Sequence, residues 1–209
     1  LPANLDRLRD RIATAGGDPE RITIVAVTKK LPLEAVEAAV AAGLTDIGEN
    51  YAQELLAKAA SAPAGIRWHF LGPVQRNKVA ALAGHVHLWQ GVDRQAAADT
   101  IAARAPGAGV LVQVNVSGEA AKQGCAEVEA APLVAHAQAQ GLEVRGLMAV
   151  GPLGAPEAAR AGFRRLASLA ADLGLAELSM GMSGDLEVAI AEGATMVRVG
   201  TALFGPRPL

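Results

Sequence analysis

The stretch ITIVAVTK, residues 22–29, decides how this chain folds. Its residues are mostly β-branched, a chemistry that favours extended backbone. It shows no apolar–polar alternation, so the strand it predicts is buried on both faces, as in a parallel sheet covered by helices. The run ends in a lysine, Lys29, where the strand surfaces. An ammonium is costly to keep charged and dry, and that condition favours a neutral, nucleophilic amine.

Outward from this strand, apolar runs alternate with alanine-rich helical runs. Strands are expected near residues 22–28, 45–48, 67–71, 86–91, 110–116, 143–150, 177–181 and 196–200. Helices are expected over residues 33–42, 52–60, 77–83, 94–105, 127–140, 155–173 and 186–192, after an amphipathic opening helix within residues 1–17. Glycines such as Gly43 and Gly141 follow helical runs, where a C-cap needs left-handed backbone. Strand–helix alternation with short connections means a parallel sheet with right-handed crossovers. Eight such units predict an α/β fold, a closed (β/α)₈ TIM barrel with an extra N-terminal helix, in a single domain spanning residues 1–209. The competing doubly wound sheet would carry a glycine-rich turn after its first strand, and here that turn is Thr28-Lys29-Lys30-Leu31-Pro32.

Composition narrows the function. The formal net charge is -2 and no lysine–arginine cluster stands out, which argues against a nucleic-acid partner. Aromatic residues make up 3%, too few for base-stacking platforms. One cysteine, Cys125, excludes an internal disulfide and a multi-thiolate metal site. No apolar run approaches the roughly 18 residues of a membrane span. The start carries charges every few residues, unlike a signal peptide, so a cytoplasmic protein is expected; the absence of an initial methionine suggests a trimmed start.

In a barrel of this kind, active sites form at the carboxyl ends of the strands, with phosphate held after strands seven and eight. On that rim the sequence places Lys29 after strand one and Asn50 after strand two. His69 lies in strand three and Met148 in strand six. Ser183 follows strand seven, and Arg198-Val199-Gly200-Thr201 closes strand eight. Gly200 lets backbone N–H groups approach an anion, and Thr201 and Ser183 add hydroxyls. An amine early and two anion-binding turns late suggest a covalently held aldehyde carrying a phosphate. Alternation along the strand does not choose between Lys29 and Lys30, because both barrel faces are apolar.

These segments also carry a resemblance. AVTK (26–29), GENYAQE (48–54), WHFLGPVQRNK (68–78), QVNVSGEAAKQG (113–124), RGLMAV (145–150), LSMGMSGD (178–185) and MVRVGTALFG (196–205) closely resemble the pyridoxal phosphate homeostasis proteins. That family is similar to the barrel domain of alanine racemase. The resemblance implies pyridoxal 5′-phosphate held as an aldimine on Lys29 and a phosphate gripped by Ser183, Gly200 and Thr201. It also implies Arg198 facing the pyridine nitrogen, Asn50 near the ring's 3-hydroxyl side, and Met148 and His69 lining the pocket. Lys122 matches a second lysine that the family offers as an alternative attachment point. Two departures are Lys30 directly after Lys29, and Gly184 where the late loop usually carries a second acid.

An acidic partner on the pyridine nitrogen strengthens the cofactor as an electron sink, and arginine cannot accept the proton that such a partner shares. Racemisation needs an acid/base on each face of the substrate. Lys29 serves one face; the only tyrosine is Tyr51, beside Asn50. Alanine racemases, by the same resemblance, take their second base from an extra domain. The expectation is therefore a non-catalytic, monomeric carrier that stores pyridoxal phosphate or delivers it to apo-enzymes. The alternatives are a racemase using Lys29 and Tyr51, and a Schiff-base aldolase on a sugar phosphate.

Overall fold

The computed structural model describes residues 1–119 and 122–206; Ala120 and Ala121 of the 113–124 motif, and the last three residues of the expected domain, lie outside the described residues. An opening helix, α1 (Pro2–Thr14), precedes eight strand–helix units. The strands are β1 (Thr23–Val27), β2 (Asp46–Glu49), β3 (Arg67–Phe70), β4 (Val86–Val92), β5 (Gly109–Gln113), β6 (Glu143–Met148), β7 (Glu177–Ser179) and β8 (Met196–Val199). They alternate with α2 (Leu33–Ala41), α3 (Ala52–Ala59), α4 (Arg76–Leu82), α5 (Gln95–Arg104), α6 (Glu127–Ala139), α7 (Arg160–Asp172), α8 (Leu186–Ala191) and the short α9 (Thr201–Phe204). All strands pair in parallel in chain order, and β1 closes the barrel on β8 with Val25 opposite Arg198. The expected (β/α)₈ barrel is the fold observed.

Several strands stop earlier than their apolar runs suggest, β5, β6 and β7 by two residues or more. β5 ends at Gln113 because the ladder passes to the returning loop: Cys125 N–H donates to Gln113 O at 2.9 Å, and Asn115 N–H to Cys125 O at 2.9 Å. β7 ends at Ser179, and Gly181, with φ of 92°, turns the chain out of the barrel. The expected helix over 155–173 is a 3₁₀ turn (Pro156–Ala159) followed by α7.

The barrel wall separates two apolar layers. Ile24, Ala26, Ile47, Phe70, Trp89, Val112, Val197 and Val199 point outward and pack under the helices. Val25, Leu88, Leu111, Met148 and Met196 form a smaller cluster inside. Each fully buried aliphatic side chain contributes about 1.5–3 kcal/mol. Leu5, Leu8 and Ile12 share one face of α1 and are buried, so this helix caps the seam below the late loops.

The period-two alternation now assigns the lysines: Lys29 continues the inner row of Val25 and Val27, whereas Thr28 joins the outer row and Lys30 is exposed.

Candidate functional site at the carboxyl rim

A cavity of about 310 Å³ opens at the carboxyl ends of the strands. Its lining includes Lys29, Asn50, Met148, Ser183, Arg198, Gly200 and Thr201, the residues expected from β1, β2, β6 and the two late turns. Their convergence follows from topology, since β8 pairs with β1 and brings the last strand beside the first.

Lys29 is half-buried just past the end of β1, and the residues on either side of it are anchored by side chains from β2 and α3. On the outer side of the wall, the fully buried Glu49 accepts hydrogen bonds from Thr28 Oγ1 at 2.6 Å and from Lys58 Nζ at 2.5 Å. The same Lys58 ammonium donates to the carbonyl of Thr28 at 2.7 Å. Burial raises the Glu49 carboxyl above its ordinary range, and the bonds from Lys58 and Thr28 oppose that rise. After Lys29 the chain turns through Lys30 at φ 59°, a left-handed conformation uncommon outside glycine. Glu54 secures that turn by accepting the Lys30 N–H at 2.7 Å. Backbone strain of this kind persists where surrounding bonds over-determine it, frequently beside functional groups.

Asn50 follows β2, and its carbonyl is crowded from above. A Cβ on Gly72 would sit 2.0 Å from Asn50 O, so only glycine lets the end of β3 approach so closely.

The late turns are tied to each other. Ser183 Oγ accepts the Ala202 N–H at 3.1 Å, joining the loop after β7 to the start of α9. Asp185 Oδ1 accepts the Met182 N–H at 2.6 Å, and Arg11 of α1 donates to Ser183 O at 3.0 Å while pairing with Glu187. The loop that carries Gly184 is therefore clamped on both sides.

Arg198 forms the charged floor. It is 5% exposed and donates to Ser179 Oγ at 2.7 Å and to Ala149 O at 2.8 Å. Burial lowers its guanidinium pKa to about 10, still well above neutrality, and Asp185 opposes that fall. Its negative partners within hydrogen-bond reach are dipoles, not a carboxylate.

His69 requires a correction. It does not line the cavity: it is 1% exposed, with Nε2 2.9 Å from Asp46 Oδ1 and Nδ1 2.8 Å from Gln90 Nε2. The inner row of strand three reaches the cavity two residues later, at Leu71. At about 3.3 Å per residue, that places His69 one layer deeper. Gln113 was missed by sequence reasoning. It lines the cavity where β5 ends, and its buried Oε1 carries no hydrogen bond. The signal was available in the inner-row parity of Leu111 and Gln113, had the end of β5 been known. Gln123 of the returning loop also lines the cavity, and no strand parity marks it in the sequence.

Tyr51 and Lys122 are not brought to the cavity. Tyr51 lines a separate cleft with Pro73, Gln75 and Lys78. Lys122 pairs with Glu119 at 2.8 Å and donates to Gly151 O at 3.1 Å. Among the described residues, Lys29 and Arg198 are the ionisable side chains that line the cavity. Among them too, no group of three or more acidic, histidine or cysteine residues is placed to hold a metal, and no helix is long and apolar enough to cross a membrane.

These features define a (β/α)₈ barrel with a lysine and a buried arginine at its carboxyl rim. The family model described as alanine racemase, N-terminal domain, matches residues 2–208. A pyridoxal phosphate homeostasis protein of Pseudomonas aeruginosa is 49% identical over 96% of this chain and 91% of its own length. One from Deinococcus radiodurans is 43% identical over 98% and 99%. The chain belongs to the alanine racemase N-terminal domain family and, within it, to the pyridoxal phosphate homeostasis proteins. PipY of Synechococcus elongatus, solved with PLP bound, superposes with a TM-score of 0.80 at 34% identity, covering 95% of this chain and all of its own. Alanine racemase of Clostridium difficile, at 16% identity and a TM-score of 0.76, shares the fold over 99% of this chain and 58% of its own.

Proposed function

We propose that this protein binds pyridoxal 5′-phosphate covalently through Lys29 and keeps it in reserve, storing it or delivering it to apo-enzymes. The reading has it act as a cytoplasmic monomer with little or no catalysis of its own. The observation that carries it is the cavity lining. One amine, one buried guanidinium and a fan of hydroxyl and glycine donors share a space whose volume suits a small ligand. The residues fit the cofactor: Lys29 meets an aldehyde, Ser183, Gly200 and Thr201 meet a phosphate, and Arg198 meets a ring nitrogen acceptor. The orphaned Oε1 of Gln113 is an acceptor still wanting a donor at the same cavity. In forming the Schiff-base link, Lys29 Nζ bonds to the aldehyde carbon and the aldehyde oxygen leaves as water.

Bound pyridoxal phosphate supplies an electron sink for carbanions. The chain's residues make poor use of it. Arg198 stays protonated near neutral pH and donates to the ring nitrogen rather than sharing a proton with it. Lys29 serves one substrate face, and Tyr51, the residue a racemase would want opposite, lines another cleft. The carrier reading therefore predicts that the loaded protein exchanges the α-proton of alanine or serine in deuterated solvent no faster than free cofactor, as followed by proton NMR. Rapid exchange with either amino acid would overturn it in favour of a racemase.

The phosphate assignment has its own expected result. Ser183→Ala or Thr201→Ala should each weaken cofactor retention by about 1–3 kcal/mol, the cost of deleting a hydrogen bond to a charged group. Equilibrium dialysis reads this as a dissociation constant raised by about 5- to 150-fold. Unchanged affinity in both variants would remove these residues from the site.

A further inference from the structure

Below the cavity, buried polar side chains cross the apolar barrel interior in one hydrogen-bonded series. Arg198 Nη1 lies 2.7 Å from Ser179 Oγ, which lies 2.6 Å from Gln90 Oε1. Gln90 Nε2 lies 2.8 Å from His69 Nδ1, and His69 Nε2 lies 2.9 Å from Asp46 Oδ1. Ser179 and Gln90 are fully buried, His69 is 1% and Asp46 8% exposed. The series runs from β8 to β7, crosses the barrel to β4, and continues through β3 to β2. It ends where Arg67 pairs with Asp46 at the opposite mouth.

The donors and acceptors run in one direction. Arginine only donates, so Ser179 Oγ accepts from Arg198, and its own hydrogen points toward Gln90 Oε1. That fixes the Gln90 amide, whose NH₂ faces both His69 Nδ1 and Met196 Sδ at 3.0 Å. His69 Nδ1 must then accept, which leaves the ring proton on Nε2, donated to Asp46. Every bond points from the guanidinium toward the carboxylate, and aligned bonds of this kind polarise one another. An apolar barrel layer would avoid the desolvation of these groups.

We propose that Ser179, Gln90 and His69 are positioning residues for Arg198, aligning an uncharged relay that couples the buried guanidinium to Asp46 and sets how strongly it acts on a ring lying against it. The inference rests on the pyridoxal phosphate reading and extends it to residues that do not line the cavity.

The test uses the full-length protein loaded with pyridoxal 5′-phosphate, comparing wild type with Gln90→Leu, Ser179→Ala and Ser179→Thr. Gln90→Leu and Ser179→Ala should each shift the visible absorption maximum of the bound cofactor and raise its dissociation constant on the order of tenfold. Ser179→Thr, which keeps the hydroxyl, should restore both. Affinity for inorganic phosphate alone should stay at the wild-type value in all three, a result that general loosening of the barrel would not give. In the ligand-free wild type, imidazole nitrogen NMR should find His69 neutral with its proton on Nε2. An unchanged spectrum and affinity in both Gln90→Leu and Ser179→Ala, or a proton on Nδ1, would overturn the relay while leaving the carrier reading intact. A wild-type protein that gains no visible absorbance would take down the carrier reading, and the relay with it.

Discussion

Lys29→Ala protein, incubated with pyridoxal 5′-phosphate and reduced with borohydride, is expected to gain no covalent label, whereas wild type gains one per chain. The visible absorbance of the mixture should vanish with it. The effect is all-or-none because the link is a covalent bond to one nitrogen, and the remaining donors of the cavity hold the cofactor only reversibly. Lys29 is half-buried at a strand end, so its truncation opens no core cavity, and circular dichroism should be unchanged. Peptide mass spectrometry of the reduced wild type should place the label on Lys29. A label of full stoichiometry on Lys30 or Lys122 in the Lys29→Ala protein would move the attachment point and end the assignment. Neither outcome is expected, because Lys30 faces solvent on the far side of a left-handed turn and Lys122 is engaged with Glu119 and Gly151.

The second large effect falls outside the cavity. Lys58→Met should destabilise the fold by about 3–5 kcal/mol, because it leaves the buried Glu49 carboxylate without its cation. For a chain of this length that corresponds to a melting temperature lower by on the order of 10 °C. Glu49 Oε2 already lacks a hydrogen-bond partner, so the site has little reserve to absorb the loss. Removing both charges in Glu49→Leu/Lys58→Met should recover most of the stability, since an apolar pair of similar volume avoids the desolvation of two ions. The double-mutant cycle should then show strong coupling between the two positions. A single-variant loss below about 1 kcal/mol would mean that the pair is more solvated than its burial indicates. The same substitution removes the donor on the Thr28 carbonyl, so it should also loosen the turn that presents Lys29.

The barrel was legible because two periodicities alternate along the chain with little interruption. Residues 22–29 announce a doubly buried strand, and the alanine-rich runs between strands carry the helical period. The rim residues of β1, β2, β6 and β8 were legible for a related reason, since polar residues at the ends of apolar runs have few places to go but the mouth of the barrel. Strand ends were less legible. The run 110–116 reads as one strand, yet Cys125 captures the ladder after Gln113, and that non-local pairing hid both Gln113 and the loop role of Asn115, whose amide donates to Glu119 O at 2.9 Å. His69 was misplaced by one layer, because a motif states which strand carries a residue but not how far along the barrel axis it sits.

What the sequence determined by itself is the order of elements, their parallel closure and the supply of an amine early and anion-binding turns late. These follow from local preference and burial pattern, which each segment carries alone. Only the tertiary structure decided that Lys29 rather than Lys30 faces inward, that Glu49 and Lys58 brace it from outside, and that Arg198 rests on a relay reaching Asp46. Those facts depend on strand register and on contacts between residues far apart in the chain, such as Val25 and Arg198, which lie opposite each other where β1 meets β8. No local pattern encodes a distance that arises only when the eighth strand meets the first.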